Sequence, residues 1–163
     1  MPGPMASSSR SWSRILAQGV LAGIGAGLVM DLYLWVTTLL PAHGSMEGFW
    51  QAIASTVLGK AAVSMAGAAW VGLAIQLAAA IAWAGGYAYL AMGQPLLNRR
   101  WVVSGIAFGI VVYVVMQLVL LAGNAFKPAP TPQALLNAVV ANACFFGLPV
   151  AYIVMITRPR GVA

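Results

Sequence analysis

Acidic side chains are nearly missing from this chain. Asp31 and Glu47 are the only two in 163 residues. Charged residues of both signs reach 6 %, against about 25 % in a soluble domain. A water-facing surface cannot be built from so little charge, which excludes a soluble globular domain. Disorder is excluded as well, because it requires low hydrophobicity and high charge. There is one cysteine, Cys144, so no internal disulfide forms and cysteine usage does not identify a compartment. With no base near it in sequence, Cys144 reads as a small packing residue. The single histidine, His43, cannot supply half of a bis-histidine haem site or an HExxH zinc site. Beside Glu47 it would bind a metal only weakly, and it reads first as a solvated turn residue. No G-x-S-x-G elbow and no P-loop occur. Gly23-x-Gly25-x-Gly27 lies inside an apolar run with no strand before it, which suits helix packing and not a phosphate cradle. Asp31 lies inside the same run and Glu47 outside it, so the two carboxylates do not make a catalytic pair. The expectation is a protein without catalytic chemistry of its own, and without a metal or cofactor.

What the chain has in abundance is apolar length. Hydrophobic residues make up 62 % of it, with a mean hydropathy of +0.92. A bilayer core of about 30 Å is crossed by about 20 helical residues, and four stretches are long enough: 15–40, 66–92, 101–123 and 134–157. The second lies in a longer apolar region beginning at Ala61, so it is tilted, broken or partly outside. Turn-rich breaks separate them: Pro41-Ala42-His43-Gly44, Gly93-Gln94-Pro95, and Lys127 to Pro132. Thr131-Pro132 reads as an N-cap followed by proline at the first helical position. The fold class is therefore all-α, a polytopic membrane protein built as a four-helix bundle. Residues 1–14 read as a flexible tail, 15–157 as one transmembrane domain, and 158–163 as a second tail.

The basic residues orient the bundle. Arg10 and Arg14 precede the first span, Arg99 and Arg100 separate the second from the third, and Arg158 and Arg160 follow the fourth. With four spans these segments share one side. The other side holds only Lys60 and Lys127. The positive-inside rule places both termini in the cytoplasm, in a cell inner membrane. The net charge of +6 does not imply nucleic acid, because the bases sit at the ends of apolar runs, where anionic lipid headgroups are the expected partner. Two arginines before an apolar run also suit a signal peptide, but the run exceeds an h-region of about 7–15 residues. A retained first helix is expected.

Residues 46–60 differ in kind. Met46, Phe49, Trp50, Ile53 and Val57 share one helical face, while Glu47, Gln51, Ser55 and Lys60 fall elsewhere. Ser45 suits the N-cap, and Glu47 and Lys60 suit the helix dipole. The reading is a short amphipathic helix on the outer surface, with Trp50 and Lys60 as interface anchors there and Arg99 and Arg100 on the inner side. The alternatives are a re-entrant helix or the beginning of the second span.

Two sequence halves resemble each other. Gly19-x-x-x-Gly23 precedes Met30-Asp31-Leu32, and Gly105-x-x-x-Gly109 precedes Met116-Gln117-Leu118 at the same spacing. Ala88-Tyr89-Leu90-Ala91-Met92 parallels Ala151-Tyr152-Ile153-Val154-Met155. Either the chain is two repeated hairpins about an axis along the membrane normal, or apolar composition has produced the match by chance. The glycine pairs form small-xxx-small faces expected to bring the first and third helices together.

Within the spans the strongest polar side chains are Asp31, Gln76, Gln117 and Asn142. Each lies about 16 residues from the arginine-bearing end of its span, about 24 Å in at 1.5 Å per residue. They are expected to meet at one level as a candidate intramembrane polar site. Amides at that depth commonly serve as interhelical ties worth about 0.6 kcal/mol each. A mid-span aspartate costs about 2.5–3.5 kcal/mol on insertion scales and is a functional candidate for a proton, a cation or a cationic ligand. A structural role for Asp31 stands beside that reading.

The glycine-rich first helix, the proline-containing turn, the second span ending Gly85-Gly86-Tyr87-Ala88 and the final Gly147-x-Pro149 resemble small four-helix bacterial inner-membrane proteins of the YagU-like kind, over Gln18 to Met155. The resemblance implies fold and location more than activity. Gln76 stands here in the region where several such proteins carry a histidine. Two functions remain: an accessory, packing or partner-binding subunit, either in a homo-oligomer or in a larger membrane complex, or a small oligomeric transporter or channel using Asp31.

Overall fold

The computed structural model describes residues 5–59, 61, 64–122 and 131–158. Every regular element among them is helical. Four helical stretches are long and apolar enough to cross a membrane: Trp12–Leu39, Ala68–Gly93, Trp101–Val119 and Pro132–Ile156. They match the four expected spans to within a few residues.

The first span is α1, Met5–Leu34, continued by a π-helical turn over Trp35–Leu39. Helical backbone begins well ahead of Ile15, so residues from Met5 onward are helix where a flexible tail was expected. Hydropathy marks where a helix meets lipid, whereas helical backbone continues through polar residues of ordinary propensity. After a turn at 40–43, where exposed His43 adopts a left-handed φ of 51°, α2 occupies Met46–Leu58. Ser45 caps it, its Oγ accepting from the Gly48 N–H at 3.0 Å.

Between α2 and α3 (Ala68–Gly93) the chain turns at two glycines of positive φ, Gly59 at 84° and Gly67 at 80°. These angles suit glycine because a Cβ is strained there. The glycine pair separates α2 from the second span, so residues 46–58 form a distinct helix. Lys60 lies outside the described residues, as do Lys127, Arg160 and residues 1–4. A short helix, α4 (Pro95–Arg99), fills the break expected as a turn, with proline in its first turn.

The third span is α5, Trp101–Ala122. The fourth is three pieces in one rod: α6 (Pro132–Val140), a π-helical stretch (Ala141–Gly147) and α7 (Leu148–Ile156). Thr131 caps α6 as expected, accepting from the Ala134 N–H at 3.2 Å, with Pro132 at the start.

Packing follows membrane rules. The buried core is rich in small residues: Ala22, Ala26, Ala80, Ala84, Ala88 and Ala151. Large apolar side chains such as Leu16, Leu32, Val103 and Leu118 point outward. Lipid tails remove any hydrophobic drive between helices, so close backbone approach holds them together. α1 packs on α3 and on the fourth span, α2 packs on α3, and α5 packs on the fourth span.

The glycine pairs do mark close approaches, but not between the first and third helices. Gly19 and Gly23 face α3: a Cβ on Gly23 would stand 2.5 Å from Ile81 Cα, and one on Gly19 2.9 Å from Gly85 Cα. Gly105 and Gly109 face the fourth span, where a Cβ would stand 2.8 Å from Gly147 O and 2.7 Å from Ala143 Cα respectively. Each glycine face serves the hairpin to which it belongs. Spacing along one helix identifies a smooth face but not the neighbour that uses it.

Candidate functional site

The expected four-residue polar layer resolves into one buried pair and two separate amides. On α1, Asp31 is 4 % exposed, and on α3, Gln76 is 9 % exposed. Gln76 Nε2 donates to Asp31 Oδ1. The two side chains reach each other because Ala80 and Ala84, one and two turns further along α3, sit in the same small-residue seam as Ala22 and Ala26. Close backbones leave room between them for only a short polar contact.

A third residue joins the pair. Gly72, one turn before Gln76, lies directly against the Trp50 carbonyl, where no Cβ would fit. One turn further out, Ala54 packs on Ala68 in a small buried cluster. α2 therefore runs antiparallel across the first turns of α3. The Trp50 indole approaches the Asp31 carboxyl, but its N–H makes no hydrogen bond. Trp50 was expected as an outer-surface anchor. Its indole nitrogen is instead buried in the protein, because Gly72 lets the α2 backbone settle onto α3. Asp31 Oδ2, Gln76 Oε1 and Trp50 Nε1 are all buried without a hydrogen-bond partner. One unpartnered acceptor, Gln76 Oε1, and one unpartnered donor, Trp50 Nε1, thus lie by a carboxyl whose own Oδ2 is also unpartnered, in an otherwise apolar seam.

Gln117 and Asn142 do not join this group. Asn142 Nδ2 turns back to its own helix, donating to the Ala138 carbonyl at 2.9 Å, while its backbone lies against Gly109. Gln117 is half-buried on α5, and no hydrogen bond links it to Asp31 or Gln76. Counting residues along a span leaves rotation about the helix undetermined, and rotation decides which of these side chains meet. The exposed Cys144 is likewise not the packing residue expected, since its place in the π-helical stretch turns it outward. Arg99 and Arg100 are exposed.

A second polar cluster was missed from sequence. Tyr33 donates to Asn137 Oδ1, and Asn137 Nδ2 donates to Thr38 Oγ1 at 2.8 Å and Thr37 Oγ1 at 3.3 Å. The Tyr33 ring stacks on Phe145 with centroids 3.9 Å apart. This cluster ties the end of the first span to α6. The signal available was Thr37-Thr38 closing one apolar run while Asn137 opens another. At the opposite end, Tyr87 and Ser104 hydroxyls bond at 2.8 Å, and Ser104 also donates to the Leu97 carbonyl at 2.8 Å. These bonds close the α3–α4–α5 corner.

Among the described residues, no three of His, Cys, Asp and Glu come together as a metal-ligand group. Comparison with models of protein families, with curated proteins and with solved structures gives no match.

Proposed function

We propose that this chain is a non-catalytic integral membrane protein, a packing or partner-binding subunit of a homo-oligomer or larger assembly. The carrying observation is the use made of its one intramembrane carboxyl. Asp31 is buried between the first and second spans and tied to Gln76, with Gln117 and Asn142 elsewhere. An interhelical tie of this kind fixes register between two helices. The outward faces of large apolar residues, notably Val103, Val111 and Leu118 on α5, suit contact with lipid or with other spans. In this reading the arginine end faces the cytoplasm of the inner membrane. The two hairpins are copies of one unit, supported by the parallel use of Gly19 against Gly85 and Gly105 against Gly147. The YagU-like resemblance belongs to the same proposal.

A second reading is favoured by one observation: Asp31 Oδ2 and Gln76 Oε1 are buried acceptors without partners, next to a π-helical turn of the kind that recurs at functional sites. In that reading Asp31 serves a small oligomeric transporter or channel. Asp31→Asn separates the two. An asparagine amide keeps an acceptor for Gln76 Nε2, offers a donor to Gln76 Oε1, and removes a carboxyl that costs about 2.5–3.5 kcal/mol in a membrane. The packing reading expects a folded variant of equal or higher thermal stability, wild-type vesicles that pass no proton or cation under a gradient, and native mass spectra showing an oligomer or a bound protein. Flux through the wild type that the variant abolishes would overturn it in favour of transport.

A further inference from the structure

At the arginine end, α1, α3, α4, α7 and the residues after it line a half-open cavity of about 320 Å3. Its walls are of two kinds. Leu21, Met92 and Val154 give an apolar side. Arg14, Gln18, Asn98, Thr157 and Arg158 give a polar mouth. Gln18 Nε2 donates to Thr157 Oγ1 at 3.1 Å, which holds the first and last spans together across it. Asn98 Nδ2 donates to the Ala91 carbonyl at 2.9 Å, while Asn98 Oδ1 is buried without a partner.

The charge at this mouth is not balanced by any acidic side chain. The chain has two, Asp31 and Glu47. Asp31 is tied to Gln76 deep in the bundle, and Glu47 accepts from Gln51 on α2 at 3.4 Å. Two guanidinium groups at the rim of an apolar cavity, where a span leaves the hydrocarbon, suit an anion that carries its own apolar tail. Arginine is the side chain best matched to phosphate, which it grips with paired N–H donors. The unpartnered Asn98 Oδ1 asks for a donor, and a headgroup hydroxyl supplies one.

We propose that this cavity is a binding site for the phosphate of an anionic, hydroxyl-bearing phospholipid headgroup. Arg14 and Arg158 hold the phosphate, Asn98 accepts from the headgroup hydroxyl, and an acyl chain passes along Leu21 and Val154. The proposal rests on the membrane reading of the chain but not on the role of Asp31.

The test uses the full chain in a non-ionic detergent, titrated with phosphatidylglycerol, phosphatidylcholine or inorganic phosphate. Native mass spectrometry reads retained lipid, and the unfolding midpoint reads stabilisation. Phosphatidylglycerol is expected to give a saturable adduct and a rise in midpoint; phosphatidylcholine is not. Arg14→Gln and Arg158→Gln are each expected to weaken phosphatidylglycerol about tenfold, the loss of one charge-assisted hydrogen bond. Arg99→Gln with Arg100→Gln, on α4 and the turn after it and outside the cavity lining, is expected to leave binding unchanged. Circular dichroism establishes that each variant is folded, and the single variants cover a double variant that is not. Equal binding of phosphatidylcholine, or an equal loss from the Arg99/Arg100 variant, would overturn the proposal. A midpoint rise from inorganic phosphate alone would assign the site to a free phosphate and overturn the lipid source. The Asp31 flux measurement is independent of all these outcomes, so the two readings fail separately.

Discussion

Replacing Gly23 with alanine adds one methyl group at the seam between α1 and α3. In an exposed helix the change would help, since glycine is about 0.5–1 kcal/mol worse than alanine there. At Gly23 the added Cβ would stand 2.5 Å from Ile81 Cα, 2.6 Å from Ile81 N and 2.9 Å from the Ala80 carbonyl carbon. All three are backbone atoms, so no rotamer change relieves the clash. Carbon atoms rest at about 3.5–4.0 Å, so the helices must part locally by about 1 Å. That gap loosens the seam where Ala22, Ala26, Ala80 and Ala84 meet, and overpacking of this kind costs about 1–3 kcal/mol. The net expectation is destabilisation by about 1–2 kcal/mol once the helix-propensity gain is subtracted. Gly86→Ala is the matched control: it lies on the same helix as Ile81, and its Cβ would meet nothing within 4 Å. Thermal unfolding in detergent should place Gly23→Ala below wild type and Gly86→Ala at or above it. Gly23→Ala with an undiminished midpoint would refute the backbone-contact account of this bundle.

Asn137→Ala removes the shared partner of Tyr33, Thr37 and Thr38; at about 0.6 kcal/mol for each membrane hydrogen bond, the loss should be about 1–2 kcal/mol in the same assay. Trp50→Phe keeps the ring against α3 and deletes a buried N–H without a partner, so stability should hold or rise, whereas Trp50→Ala should lower it by leaving a cavity. Orientation is read by single cysteines in a variant lacking the exposed Cys144: one at His43 should label from outside the cell and one at Asn98 should not, the reverse pattern inverting the topology.

The spans were legible because crossing a bilayer needs length and low polarity, and both are written along the chain. The caps were legible too: Ser45 and Thr131 each have a backbone N–H three residues on to accept from. What escaped was rotation about each helix axis. Gly19-x-x-x-Gly23 announces a smooth face, but four apolar helices offer several neighbours, and α3 took it because the hairpin places α3 alongside. For the same reason Gln117 and Asn142, expected at the depth of Asp31, make no hydrogen bond to it. The inward Trp50 was hidden by a different cause. An amphipathic pattern suits a helix on lipid as well as one on protein, and the deciding residue, Gly72, lies on another element.

The two helix pairs are closed differently, and only the first holds an acid in its seam. In the second, the seam between α5 and the fourth span is closed by backbone against backbone: Gly109 faces the Asn142 carbonyl, and Gly147 faces Gly105. A π-helical stretch over Ala141–Gly147 carries that contact, and the nearby Asn142 is satisfied within its own helix. In the first pair a third element joins, because α2 packs on α3 with the Trp50 carbonyl against Gly72. A polar pair of short reach, Asp31 with Gln76, ties α1 to α3 one turn along α3 from the point where α2 presses in. The position of α2, more than the depth of the residue, is what gives Asp31 its surroundings.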